Sequence, residues 1–164
     1  MTVPAQREIP GIVSIMPRAV GREAGWSMAA VEMAHQHSRD SVLQAWRGTL
    51  SSQARGYAID RSAPGWDGYD AVPISRTAVA TAARVIDMLP DNVEVPEIVP
   101  ESSGGFSLDW SKGDGMIFSV TASFPYMVYA GVFGNEESPH GKVRVADEFP
   151  STISSILTKY FKKV

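Results

Sequence analysis

Between Phe106 and Thr121 two stretches of alternating side chains flank a tight reversal, and this pattern constrains the fold more than any other. Phe106, Leu108 and Trp110 alternate with Gly105, Ser107 and Asp109. After Lys112-Gly113-Asp114-Gly115, Met116, Phe118 and Val120 alternate with Ile117, Ser119 and Thr121. Successive residues of a strand point to opposite faces, so each stretch reads as a strand with one buried face, and the glycine-rich link joins them as an antiparallel hairpin. Phe124-Pro125 breaks the second strand. Residues 126–133 supply another, apolar on both parities, and a short strand over Lys142–Val145 follows the loop Gly134–Gly141. Lys142 and Arg144 are charges of the kind that guard a sheet edge.

Helical spacing surrounds this meander. Trp26, Ala30, Met33 and His37 recur along one helix face from Glu23 onward, and Ser38 followed by Asp40 reads as the cap of a second helix. That second helix carries Leu43, Trp46, Leu50, Ala54 and Tyr57. Gly48 and Gly56 weaken it by about 1 kcal/mol each relative to alanine. Ser75 is the expected cap of a helix carrying Ala78, Ala82, Val85 and Leu89, stopped by Pro90. A last helix begins near Pro150-Ser151, with Ile153, Ile156, Leu157, Tyr160 and Phe161 on its apolar side. Helices, then a meander, then a helix make an α+β fold: N-terminal helices, an antiparallel sheet of 3–5 strands packed on helices, and a C-terminal helix, in two layers. Residues 1–22, punctuated by Pro4, Pro10, Pro17 and Gly21, read as an arm, and residues 23–164 as one domain.

Charge and composition narrow the function. The chain has 164 residues, 44% of them hydrophobic and 20% charged, enough to bury a core. It has no cysteine, hence no disulfide, thiolate metal site or cysteine nucleophile. No apolar run approaches the roughly 20 residues of a membrane span, and the start lacks the order of a secretory signal. A cytoplasmic protein without a membrane role is the expectation. From Asp87 to Asp109 the chain carries Asp87, Asp91, Glu94, Glu97, Glu101 and Asp109 with no base between them. Such a run repels phosphate and suits a protein partner with a basic surface, so nucleic acid is not expected as the partner. Glu94, Glu97 and Glu101, with Tyr129 as an aromatic anchor, are the candidate binding residues.

The most distinctive string runs from Gly65 to Ser75 and includes Trp66, Asp67, Gly68, Tyr69 and Asp70. Glycine admits positive φ and aspartate caps turns, while the two rings are expected to plug the core between the 75–89 helix and the sheet. A structural turn is the favoured reading, and a binding loop holding a cation or an arginine through Asp67 and Asp70 the other. With Ser107-Leu108-Asp109-Trp110 and Tyr129-Ala130-Gly131-Val132-Phe133-Gly134, this string resembles a loose group of uncharacterised small bacterial proteins. They carry a Trp-Asp-Gly-Tyr-x-Ala-x-Pro turn followed by Ser-Leu-(Glu/Asp)-Trp and Tyr-Ala-Gly-x-Phe-Gly strands. The resemblance covers residues 60–161. It implies this order of elements and an association with mobile or defence-related systems, and it brings no activity.

No catalytic set emerges. His35 and His37 are two apart in a helix and point to different sides. Glu136, Glu137 and His140 lie in a loop without the helical scaffold that makes such spacing chelating. No serine stands in a nucleophile elbow, and neither glycine-rich turn has the ending of a phosphate loop. No catalytic residue, metal or cofactor is therefore assigned. The expected function is a non-catalytic interaction protein of a bacterial or mobile-element system: an antitoxin, an immunity-type inhibitor, or a defence or counter-defence accessory. The alternatives are a small enzyme or metal-dependent hydrolase using Asp67, Asp70 and His140, and a nucleic-acid binder using Arg39, Arg47, Arg55 and Arg61. Composition leaves the oligomeric state open.

Overall fold

The computed structural model describes residues 28–113, 115–134 and 137–163. The arm expected over residues 1–22 lies outside them. The elements in chain order are α1 (Met28–Asp60), α2 (Arg76–Met88), β1 (Glu97–Pro100), β2 (Phe106–Lys112), β3 (Met116–Ser123), β4 (Tyr126–Val132), β5 (His140–Arg144) and α3 (Ser151–Tyr160). The five strands form one antiparallel sheet in the order β1-β2-β3-β4-β5, with helices on one face. The α+β architecture and the meander are those that the alternation predicts.

Two expectations need correction. The helix break at Ser38 does not occur, and α1 runs unbroken for 33 residues, about 50 Å. No glycine or proline falls between Met28 and Arg47 to stop it, and Gln36 Nε2 donates to Asp40 Oδ1 at 3.0 Å across the expected boundary. Such pairs four apart support a continuous helix. Of the face expected from Trp26, Ala30, Met33 and His37, Trp26 lies outside the described residues, and the rest is not a core face, since Met33 is 67% exposed and His37 is exposed. Among the described side chains, α1 joins the core through Trp46, Leu50, Ala54 and Tyr57. Second, a strand precedes the hairpin, where the acids and prolines between Pro90 and Glu101 read as a mere connection: β1 pairs with β2, with Glu97 opposite Asp109 and Pro100 opposite Phe106. Pro100 lacks an N–H, and an edge strand is where a sheet tolerates one.

The other helix boundaries follow the sequence signals. Ser75 Oγ accepts from Ala78 N at 3.0 Å and caps α2, and α3 starts just after Pro150. Arg47 fastens α1 to the end of α2. Its guanidinium donates to Ile86 O at 3.2 Å and Leu89 O at 2.6 Å and pairs with Asp91 at 2.7 Å. The inner sheet face holds Ile98, Phe106, Leu108, Trp110, Phe118, Val120 and Met127, all buried, against Ala82, Val85 and Ile86 of α2 and Ile153 and Leu157 of α3. Phe118 is the hub. Its ring stacks on Phe133 at 6.2 Å and on Phe161 at 6.5 Å, while Phe133 stacks on Tyr160 at 4.1 Å. The strand partner of Phe118 is Gly131, and a Cβ there would sit 2.7 Å from the Phe118 ring. The glycine is required by that close approach.

Candidate interaction surface

Strand register decides which residues the sheet shows on its uncovered side. Rows across the strands read Ser111–Ile117–Val132, then Glu97–Asp109–Ser119–Ala130–His140, then Val99–Ser107–Thr121–Val128–Lys142, then Ser123–Tyr126–Arg144. These residues alternate with the core-facing ones, so they share the outer face, on which Ser107 is buried and the others are exposed or half-buried. An antiparallel sheet covered on one side normally turns polar residues to water. Here β4 turns out Tyr126, Val128, Ala130 and Val132, with Ile117 of β3 beside them. Val132 is 57% exposed, Ile117 54%, Val128 43% and Tyr126 39%.

Charge is divided across the same face. His140, Lys142 and Arg144 stand on β5, at one edge. Lys142 Nζ lies 4.3 Å over the Tyr126 ring, and neither Lys142 nor Arg144 has an ion pair among the described residues. Toward the other edge stand Glu97, Asp109 and Glu101. Asp109 accepts from Ser119 Oγ at 2.6 Å, and Glu101 accepts from Thr121 Oγ1 at 2.8 Å and Ser103 Oγ at 3.2 Å.

The residues singled out from the sequence fare unequally. Tyr129 is not an outward anchor. It has the parity of Met127, is half-buried, and its ring lies 6.0 Å from Phe118. The apolar residues that face outward on β4 are its neighbours of opposite parity, and sequence reasoning passed them over. The signal was present in the two apolar parities of residues 126–133, but choosing the buried one needs Gly131 placed opposite Phe118.

The acidic run is also divided. Asp91 pairs with Arg47, and Glu94 Oε1 pairs with Lys112 Nζ at 2.9 Å, so these two carry counter-charges within the chain. Glu94 is moreover tied into the core side, where its carbonyl accepts from Trp110 Nε1 at 2.8 Å. Glu97 has no such partner among the described residues. The three glutamates therefore do not form one uncompensated patch.

In the 65–72 turn, Asp67 Oδ1 accepts from Tyr69 N at 2.9 Å and Ala71 N at 3.3 Å, and Trp66 Nε1 donates to Val72 O at 2.9 Å. Gly65 and Gly68 take φ of 68° and 87°, which a side chain disfavours. Trp66 is half-buried against the core with the Arg61 guanidinium 5.2 Å from its ring. Tyr69, expected to be buried beside it, is 87% exposed. The chain reverses around the Asp67 carboxylate, which turns Trp66 and Ala71 inward and leaves residue 69 at the tip. Asp70 is exposed as well.

Asp67, Asp70 and His140 do not converge. Val72, at the end of the turn, bonds to Ser102 O just beyond β1, whereas His140 is on β5. Four strand spacings separate those strands, about 19 Å. No group of three or more His, Asp or Glu able to hold a metal occurs among the described residues. The four arginines are dispersed too. Arg47 is bound to α2, Arg61 lies 4.5 Å over Tyr57, and Arg39 and Arg55 are exposed. No helix among the described residues is long and apolar enough to cross a membrane.

Comparison with family models, with curated proteins and with solved structures finds no match to this chain.

Proposed function

We propose that this chain acts by binding another protein, and that the outer face of its sheet is the docking surface. The observation that carries the proposal is the β4 column of Tyr126, Val128, Ala130 and Val132, aliphatic for most of its length and open to solvent. Aliphatic side chains left on an otherwise satisfied sheet gain most of their free energy when a partner covers them. The dispersal of Asp67, Asp70 and His140 supports binding over catalysis. The setting that fits is a cytoplasmic, bacterial or mobile-element system, in which the chain is an antitoxin, an immunity-type inhibitor or a defence accessory. The cysteine-free sequence and the resemblance carried by the Trp66–Pro73 turn support that setting.

The test is quantitative affinity capture from cells that express the protein. The wild-type chain is compared with Val128→Glu/Val132→Glu and with Arg55→Glu on the far side of the fold. A partner retained by wild type and Arg55→Glu, and lost by the double variant, is the expected result. Identical captured sets for all three chains would overturn the reading.

A further inference from the structure

The same face says what chemistry its partner presents, an inference that rests on the docking reading above. We infer that the partner offers an acidic amphipathic segment, laid along β4 with its carboxylates on Lys142 and Arg144. The register supports this geometry. Lys142 is directly beside Val128, Arg144 beside Tyr126, and His140 beside Ala130. A basic column thus runs one strand spacing, about 4.8 Å, from an apolar one. Along β5, Lys142 and Arg144 are two residues apart, about 7 Å, close to the rise of about 6 Å between residues four apart on a helix. The β4 column from Tyr126 to Val132 spans about 20 Å, the length of a helix of about 14 residues. An acidic helix with apolar residues on one side and carboxylates four apart beside them meets both columns at once.

Charge argues against the other occupants. The first 27 residues of the chain carry three arginines against two acids and do not supply the missing negative charge. A second copy stacked on β4 about an axis along that strand sets Lys142 over Thr121 and Arg144 over Ser123, with no carboxylate of the described residues opposite. Edge-to-edge pairing through β5 opposes Lys142 to Lys142, the usual guard against sheet extension. Single-stranded nucleic acid asks for aromatic platforms, but these outer rows hold one Phe, Tyr or Trp, Tyr126, and Lys142 already covers its ring.

The probe is a displayed library of random 16-residue peptides, selected on the wild-type protein and counter-selected on Val128→Glu/Val132→Glu. Circular dichroism and thermal melting establish that each variant folds. Two further variants are Lys142→Glu/Arg144→Glu, which reverses the charge, and Lys142→Gln/Arg144→Gln, which keeps long side chains and removes only charge. The expected result is a set of face-dependent peptides, net negative, with apolar residues three and four apart. Their affinity falls at least tenfold in Lys142→Glu/Arg144→Glu, falls less in the glutamine pair, and weakens with salt. Face-dependent peptides that are neutral or basic would overturn the partner chemistry and leave the docking face standing. Absence of any face-dependent peptide would overturn both. Binding of a fluorescent single-stranded 20-mer that Val128→Glu/Val132→Glu and Lys142→Glu/Arg144→Glu each abolish, or a dimer by light scattering that Val128→Glu/Val132→Glu dissociates, would also overturn the inference.

Discussion

Tyr129 lies against Phe118 inside the fold, with ring centroids 6.0 Å apart and planes 44° from parallel, while its hydroxyl closes over Gly141. A Cβ on Gly141 would meet that hydroxyl at 2.7 Å, so the strand opposite is shaped to the ring. Tyr129→Ala should therefore cost stability. A half-buried ring is worth less than the 3–5 kcal/mol of a fully buried aromatic, so about 2–3 kcal/mol is expected, with Phe118→Ala at the top of the range. Urea unfolding measures both. A Tyr129→Ala chain as stable as wild type would return this residue to the surface.

The 65–72 turn separates into a structural part and a displayed part. Trp66→Ala should cost about 2–3 kcal/mol, because its half-buried ring and its bond to Val72 O are both lost. Asp67→Ala should cost about 1–2 kcal/mol through the two backbone N–H groups it leaves unpaired. Tyr69→Ala should fall within about 0.5 kcal/mol of wild type, as ordinary surface substitutions do. Thermal melts of the three variants decide it, and a Tyr69→Ala loss equal to that of Trp66→Ala would contradict this division.

Much of this was legible beforehand, for reasons visible at particular residues. The hairpin from Phe106 to Thr121, the Ser75 cap and the start of α3 follow from local chemistry, which acts within a few residues. What was not legible depends on partners far along the chain. Ser38 has the composition of a cap, but nothing nearby stops the helix, so continuity wins. Pro96 and Pro100 mask β1 because a strand carrying proline is acceptable only at an edge, and only the register with β2 shows that it is one. The parity of β4 turns on Phe118 fitting against Gly131. The acidic run looked uncompensated because Arg47 and Lys112, its counter-charges, stand 44 and 18 residues away from Asp91 and Glu94.

The two glycines inside α1 serve no packing purpose. A Cβ on Gly48 or Gly56 meets nothing within 4 Å, and both sit in helical backbone. Gly48→Ala and Gly56→Ala should each stabilise the protein, by up to about 1 kcal/mol. A rise in melting temperature for each, adding in the double variant, is expected. Destabilisation by either would mean that close approach, not backbone entropy, selects glycine there.

Arg47 joins two helices through carbonyls more than through its ion pair. Its guanidinium is largely buried, whereas the Asp91 side chain is 66% exposed. Arg47→Met should cost about 1–3 kcal/mol, since the Leu89 carbonyl loses its side-chain donor and the Ile86 carbonyl keeps only the Leu89 N–H. Asp91→Asn should cost less than about 1 kcal/mol, as solvent-exposed pairs do. Equal losses measured by denaturant unfolding would assign the joint to the ion pair instead.

Docking through the outer sheet face can be read out in living cells by light-activated cross-linking. A benzophenone side chain is placed at Val128 on β4 and, in a separate chain, at Ala80 on the exposed side of α2. A discrete protein adduct from position 128, competed away by the unlabelled wild-type chain, and none from position 80, is expected. Adducts from position 80 with none from position 128 would contradict it.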